Sequence, residues 1–172
     1  VVTLDPRFAV SYQLGAVFLA EPPPVGLNRP ETAVRLLERG IGAIPDNWFL
    51  HRDAALFRFE YLGDSAGAVA RLRASASLPG APAWLSSLSA DLATKAGNVD
   101  GAREIWRSLA SSDLQFVREN AQRSLMRLDA LALVAAAQKV VDRYREQTGS
   151  VPAAWRDLVA AGQLEVELKL LA

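Results

Sequence analysis

The chain has 172 residues, of which 51% are hydrophobic, 22% charged and 8% aromatic. Its 19 basic residues balance its 19 acidic residues, so the net charge supplies no attraction to nucleic acid or to an anionic membrane. Because the sequence has no cysteine, disulfides, thiolate catalysis and cysteine-ligated metals are excluded, while the bacterial cytoplasm and the periplasm or envelope are equally compatible.

Proline and glycine divide the sequence into a series of predicted helices. Many of the apolar residues are alanine, which has the highest helix propensity, and this favours an all-α fold. The first segment, residues 1–6, is interpreted as the end of a helix from an earlier repeat. A proline-rich loop is predicted at residues 21–30. The helices predicted after the first segment cover residues 7–19, 31–44, 48–62, 64–77, 84–96 and 99–110.

Two turns carry recognisable capping signals. Pro45, Asp46 and Asn47 end one helix and cap the next. Gly97 and Asn98 form a turn that suits a left-handed C-cap. The helix at residues 48–62 has apolar side chains nearly all round, which indicates that neighbouring helices cover it on several sides. It is therefore predicted to lie in the middle of a stack.

The last part of the chain is predicted to be mostly helical. No glycine or proline occurs at residues 113–148, so one long helix or two abutting helices fit, with a break or bend near residues 128–130. Ser112 and Gln115 are interpreted as a capping box at its start. Pro152 is predicted to occupy the first position of a short helix that follows.

A motif recurs along the chain with a period of about 34 residues. It consists of Gly followed by Asp or Asn, then Ala, then a bulky residue four positions after the Ala. A fixed period of this size predicts an array of helical pairs. The motif occupies Gly63, Asp64, Ala68 and Leu72 in one copy and Gly97, Asn98, Ala102 and Trp106 in the next, and Ala33, Leu37 and Pro45 form an earlier copy.

This motif resembles the second helix of the tetratricopeptide repeat (TPR), and the match covers about residues 8–109. Tyr12, Leu14, Gly15 and Phe18 approximate the first helix of that repeat. The resemblance implies a right-handed superhelical stack of antiparallel helix pairs, a TPR-like solenoid, with a long C-terminal helix and a short helix after it.

The resemblance also implies a division of the chain. Residues 1–111 are expected to hold about three helical pairs, preceded by the remnant of another. Residues 112–172 are expected to form a C-terminal helical extension. Within it, residues 140–164 resemble a tail found on some bacterial TPR proteins and are loosely similar to pseudopilin-type tails.

Few residues suit catalysis. His51 is the single histidine, so a histidine pair for zinc is excluded, and the sequence has no nucleophile elbow or phosphate-binding glycine loop. An enzyme would need His51 or a buried acid such as Asp53 or Asp91. We therefore predict no catalytic, cofactor-binding or metal-binding residue, and a structural or solvent-facing His51.

Four tryptophans are candidates for either core packing or partner binding. Trp106 and Trp155 are predicted to lie in the core, while both interpretations stay open for Trp48 and Trp84. In the TPR register, the first helix of each pair lines the concave face. The predicted partner-binding groove consists of Tyr12, Phe57, Glu60, Tyr61, Trp84, Asp91 and Lys95.

The favoured function is a noncatalytic protein- or peptide-binding scaffold, which the family resemblance associates with a bacterial envelope, secretion or pilus-related assembly. The alternative is a small-molecule or lipid carrier with an apolar pocket around Phe57 and Tyr61. An enzyme is the third possibility. No nucleic-acid partner is predicted, and no apolar run reaches the roughly 20 residues that span a bilayer.

Both ends of the chain are predicted to be prone to interaction. Residues 1–4 are apolar and lack a partner helix, so Phe8, Val10 and Leu14 are expected to lie uncovered. Residues 164–170 alternate between apolar and polar, a pattern that suits a strand with unpaired backbone groups. Self-association through these ends is one expectation, and a tail that folds back on the long helix is the other.

Overall fold

The computed structural model describes residues 5–161, and this part of the chain is all-helical, as predicted, with no β-strand. None of its helices is both long and apolar enough to cross a membrane. Residues 1–4 of the predicted helix remnant at 1–6, and the predicted strand at 164–170, lie outside the described residues. The helices are α1 (Ala9–Ala20), α2 (Pro30–Ala43), α3 (Trp48–Leu62), α4 (Ser65–Ala76), α5 (Trp84–Lys95), α6 (Val99–Leu109), α7 (Gln115–Thr148) and α8 (Trp155–Ala160).

The chain divides into two compact units, residues 1–125 and 126–172. The first unit holds α1 to α6 and the beginning of α7, and the second holds the rest of α7 and α8. The division that we predict after residue 111 concerns repeats rather than compact units, and it stays a prediction. The helix is not broken at residues 128–130, because α7 continues through them. The alternative, a bend at these residues, stays a prediction.

The repeated motif is a capping turn. Gly63 ends α3 with a φ of 66°, and Gly97 takes a φ of 76° in the turn after α5, a left-handed conformation that glycine adopts without steric cost. Asp64 and Asn98 then cap α4 and α6. Their side chains accept the backbone N–H three residues later at 2.9 and 3.0 Å. The period of the motif therefore marks where α4 and α6 begin.

Of the other predicted helix starts, one is confirmed and two need correction. Asn47 does cap α3, since its side chain accepts the N–H of Leu50 at 3.1 Å. The capping box at the start of α7 is wrong: the hydroxyl of Ser112 accepts the N–H of Leu114 at 3.3 Å, and the side chain of Gln115 donates instead to Glu119 at 2.7 Å.

The start of α8 was also misplaced. Pro152 does not occupy the first helical position, because α8 begins at Trp155. The carboxylate of Asp157 explains the later start: it accepts the backbone N–H groups of Ala153 and Ala154 at 2.8 and 2.9 Å, which fixes the chain ahead of the helix.

Consecutive helices pack against each other from α1 to α6. The helices α3 and α4 run antiparallel, since Ser75 near the end of α4 donates to the carbonyl oxygen of Trp48 at the start of α3, at 2.9 Å. In contrast, α1 and α3 run parallel. Gln13 donates to Asp53 at 2.6 Å near their starts, and Tyr61 donates to Glu21 at 2.9 Å near their ends.

Helix α3 contacts α1, α2 and α4, which confirms that it is covered on several sides. The core between the first three helices combines one aromatic ring with small and branched apolar side chains, and alanine lets the helices approach closely. Its buried members are Tyr12, Ala16, Ala20, Ala33, Leu37, Ile41, Leu50 and Ala54.

The two tryptophans predicted to be core residues behave differently. Trp106 is fully buried, as predicted. Trp155 is 58% exposed, so its prediction was wrong. It begins a helix of six residues in which Leu158 is the buried residue, and so short a helix buries one face while the rest of its side chains stay in solvent.

An ion-pair network joins three helices of the first unit. The carboxylate of Glu38 in α2 accepts hydrogen bonds from the guanidinium groups of Arg71 in α4, at 2.6 Å, and of Arg58 in α3, at 3.2 Å. Arg58 also pairs with the α4 cap, Asp64, at 2.9 Å. The hydrogen bond from the Gly67 N–H, followed by that from Arg58, lowers the pKa of Asp64 below its ordinary value.

This shift predicts a loss of stability in acid. A lowered carboxyl pKa stabilises the fold above the pKa of the unfolded chain, and this contribution disappears as the pH falls through the folded-state pKa. We expect the free energy of unfolding to decline between about pH 5 and pH 2, and less steeply in Asp64→Asn, which keeps the cap acceptor but cannot titrate. Urea titrations at several pH values measure this, with the exposed Asp113→Asn as control. An equal slope in wild type and Asp64→Asn would contradict the assignment.

Candidate partner-binding site

One of the predicted groove residues lies in the core. Tyr12 is fully buried, and its hydroxyl donates to the carbonyl oxygen of Pro6 at 3.0 Å. It therefore belongs to the core and offers no surface to a partner. Glu60 and Lys95 are exposed, while Asp91 is partly buried.

The structure brings Phe57 and Tyr61 together, with ring centroids 5.3 Å apart. Both are half-buried and pack against the core. The Tyr61 hydroxyl is also engaged, because its hydrogen bond to Glu21 raises the pKa of Tyr61 above its ordinary value. These two rings therefore contribute to the packing between α1 and α3 as much as to any partner-binding surface.

Trp84 lies in a different group, which we call the aromatic cluster: Trp48, Phe49, Arg52 and Trp84. The rings of Trp48 and Phe49 stack with centroids 3.6 Å apart, and Trp84 meets Trp48 edge-on at 5.9 Å. The two adjacent rings begin α3, and Trp84 begins α5, so the cluster forms where the starts of α3 and α5 meet.

Arg52 lies over this cluster. Its guanidinium carbon is 5.7 Å from the ring centre of Trp48 and 5.1 Å from that of Phe49, within the range of cation–π attraction. Three or four residues separate it from these rings along α3, so all three share one helix face. The carboxylate of Asp53 accepts two hydrogen bonds from this guanidinium, at 2.6 and 2.8 Å, which fix its position. The same carboxylate accepts a hydrogen bond from the side-chain amide of Gln13 in α1 at 2.6 Å.

The cluster remains accessible, although its Arg52 is paired with Asp53. Phe49 is 42% exposed and Trp84 is 43% exposed, while Trp48 is partly buried between them. Tryptophan and arginine dominate the side chains that carry binding energy in protein interfaces. The sequence left Trp48 and Trp84 undecided and missed Phe49 and Arg52, although the spacing of four residues from Trp48 to Arg52 was a usable signal.

A second exposed apolar surface follows α1. Phe8, Val10 and Leu14 are 48%, 46% and 66% exposed, as predicted for residues without a covering helix. Val17 and Phe18, at 45% and 54%, continue the same helix face. Self-association through this surface stays a prediction.

His51 has a structural position. It is buried, and its Nε2 atom lies 2.9 Å from the carbonyl oxygen of Pro45. Its Nδ1 atom has no hydrogen-bond partner among residues 5–161. In the same described range, no three His, Asp or Glu side chains are grouped so that they could hold a metal ion.

In comparisons with known proteins, no family model, no curated protein and no solved structure matches this chain. The resemblance to the TPR therefore rests on the motif residues and on the helix contacts described above. The described residues define an all-helical protein with an exposed aromatic cluster, and its function is argued from that cluster.

Proposed function

We propose that this protein is a noncatalytic helical-repeat scaffold that binds a protein or peptide through its aromatic cluster. The observation that carries the proposal is the exposure of Phe49 and Trp84 beside a fixed Arg52. A side chain that is already ordered loses little entropy when a partner covers it, so its burial contributes fully to affinity. The pairing of Arg52 with Asp53 supplies this order.

The proposed architecture is a TPR-like right-handed stack. Three features support it: the parallel arrangement of α1 and α3, the adjacent starts of α3 and α5, and the capping turns repeated 34 residues apart. The resemblance of residues 140–164 to tails of bacterial TPR proteins supports a place in an envelope, secretion or pilus-related assembly.

The chemistry of the cluster specifies the partner. The charge of Arg52 is already compensated by Asp53, so the surface offers ring edges and faces rather than a free cation. We propose a partner peptide that presents one large apolar or aromatic side chain to Phe49 and Trp84. The alternative is a carrier of small molecules or lipids around Phe57 and Tyr61, whereas the three cavities described among residues 65–158 are lined by other residues.

A peptide selection tests this proposal. Peptides selected from a random library for binding to the wild-type protein are measured by fluorescence anisotropy against wild type and Trp84→Ala. We expect enriched peptides to share an apolar or aromatic residue and to lose at least about thirtyfold in affinity with Trp84→Ala, as at an interface hot spot.

Trp155→Ala is the matched control, because Trp155 is similarly exposed but lies outside the aromatic cluster. Its affinity for the same peptides is expected to equal that of wild type. The proposal fails if no peptide is enriched, or if the selected peptides bind Trp84→Ala and Phe49→Ala as tightly as wild type.

A further inference from the structure

A cavity of about 350 Å³ lies among α4, α5 and α6, and no residue of the aromatic cluster lines it. Its polar lining comes from all three helices and includes the hydroxyl-bearing residues Ser86, Ser89 and Ser108. Two opposite charges, Arg73 and Glu104, also line it. The same two charged residues line an adjoining cavity of about 640 Å³ between α4 and α6.

Two polar groups that line this cavity make few hydrogen bonds within the protein. Ser89 is fully buried, and its hydroxyl has no hydrogen-bond partner in the described part of the chain. A buried hydroxyl without a partner costs free energy, and a ligand that bonds to it recovers that cost. Arg73 makes one long bond, 3.4 Å to the carbonyl oxygen of Gly101.

The two charged residues of this cavity differ from the ion-paired residues of the first unit. Glu38 is paired with Arg71 at 2.6 Å, and Arg52 with Asp53 at 2.6 Å. Within residues 5–161, Arg73 and Glu104 line one cavity but form no ion pair with each other. The space between them therefore separates a positive from a negative group.

We infer that this cavity binds a small zwitterion, a free α-amino acid. Its carboxylate pairs with Arg73 and accepts serine hydroxyls, and its ammonium group pairs with Glu104. The volume is at the small end for ligand pockets, which suits a ligand of this size. The buried hydroxyl of Ser89 donates to the ligand and gains the partner that it lacks.

Isothermal titration calorimetry with L-alanine, L-serine and L-leucine tests the inference. For a ligand with so few atoms, we expect a dissociation constant on the order of 1 mM for the best of the three. N-acetylation removes the ammonium charge and amidation removes the carboxylate. Each derivative of that amino acid is expected to bind at least about tenfold more weakly.

Three variants assign the contacts. Arg73→Gln is expected to weaken binding of the amino acid at least about tenfold and to leave binding of the amide derivative unchanged. Glu104→Gln is likewise expected to weaken binding of the amino acid at least about tenfold and to leave binding of the acetyl derivative unchanged. Ser89→Ala is expected to weaken binding of the amino acid several-fold. Arg107→Gln, an exposed arginine on the same helix that does not line the cavity, is the matched control and should bind as wild type.

The first two substitutions are at exposed side chains, so circular dichroism spectra are expected to match wild type. The inference is overturned if none of the three amino acids binds at about 10 mM, ten times the expected dissociation constant. It is also overturned if Arg73→Gln and Glu104→Gln bind them as wild type does, because the ligand would then lie elsewhere.

Discussion

Trp106→Ala is expected to lower the free energy of unfolding by about 3 to 5 kcal/mol. Trp106 is fully buried in α6, where it occupies the bulky position of the repeated motif. Its truncation removes a large apolar side chain from the core and leaves a cavity that the surrounding helices fill incompletely. The same argument is weaker for Phe57, which is only partly buried.

Trp106→Phe separates packing from hydrogen bonding. The indole Nε1 of Trp106 is buried without a partner among the described residues, so phenylalanine retains most of the apolar contact and removes an unsatisfied donor. Urea unfolding should therefore show a much smaller loss for Trp106→Phe than for Trp106→Ala. A loss below about 1 kcal/mol for Trp106→Ala would contradict the core assignment.

Gly40→Ala is expected to destabilise the protein by about 1 to 3 kcal/mol, although alanine is the better helix former. A methyl group at Gly40 in α2 would lie 2.7 Å from the ring of Tyr12 in α1. Because Tyr12 is fully buried and hydrogen-bonded, the ring has no free space in which to retreat. The two helices would have to separate.

Gly42→Ala is the matched control in the same helix. No atom lies within 4 Å of the methyl group that it would add, so the gain in helix propensity is expected to stabilise the protein by about 0.5 kcal/mol. Thermal and urea unfolding of both variants measure the difference. If Gly40→Ala is as stable as Gly42→Ala, the close packing of Tyr12 on α2 is refuted.

The sequence predicted the helices of the first unit well, because their limits are set by local chemistry. Gly63 and Asp64 end one helix and cap the next using atoms only a few residues apart, and Gly97 and Asn98 repeat this. The predicted limits of α1 to α6 accordingly agree closely with the observed ones. The misplaced start of α8 depended on Asp157, whose side chain competes for the backbone ahead of the helix.

The candidate site was predicted less well, because exposure is decided by which helices become neighbours. Tyr12 and Trp155 have similar aromatic character in the sequence, yet one is fully buried against α2 and the other is 58% exposed. The aromatic cluster likewise requires residues 48 and 84 to meet in space. The sequence by itself therefore determined the helices of the first unit and their capping turns, through contacts within a few residues. Only the tertiary structure decided which rings are buried and which form a surface, since burial depends on contacts between residues far apart in the chain.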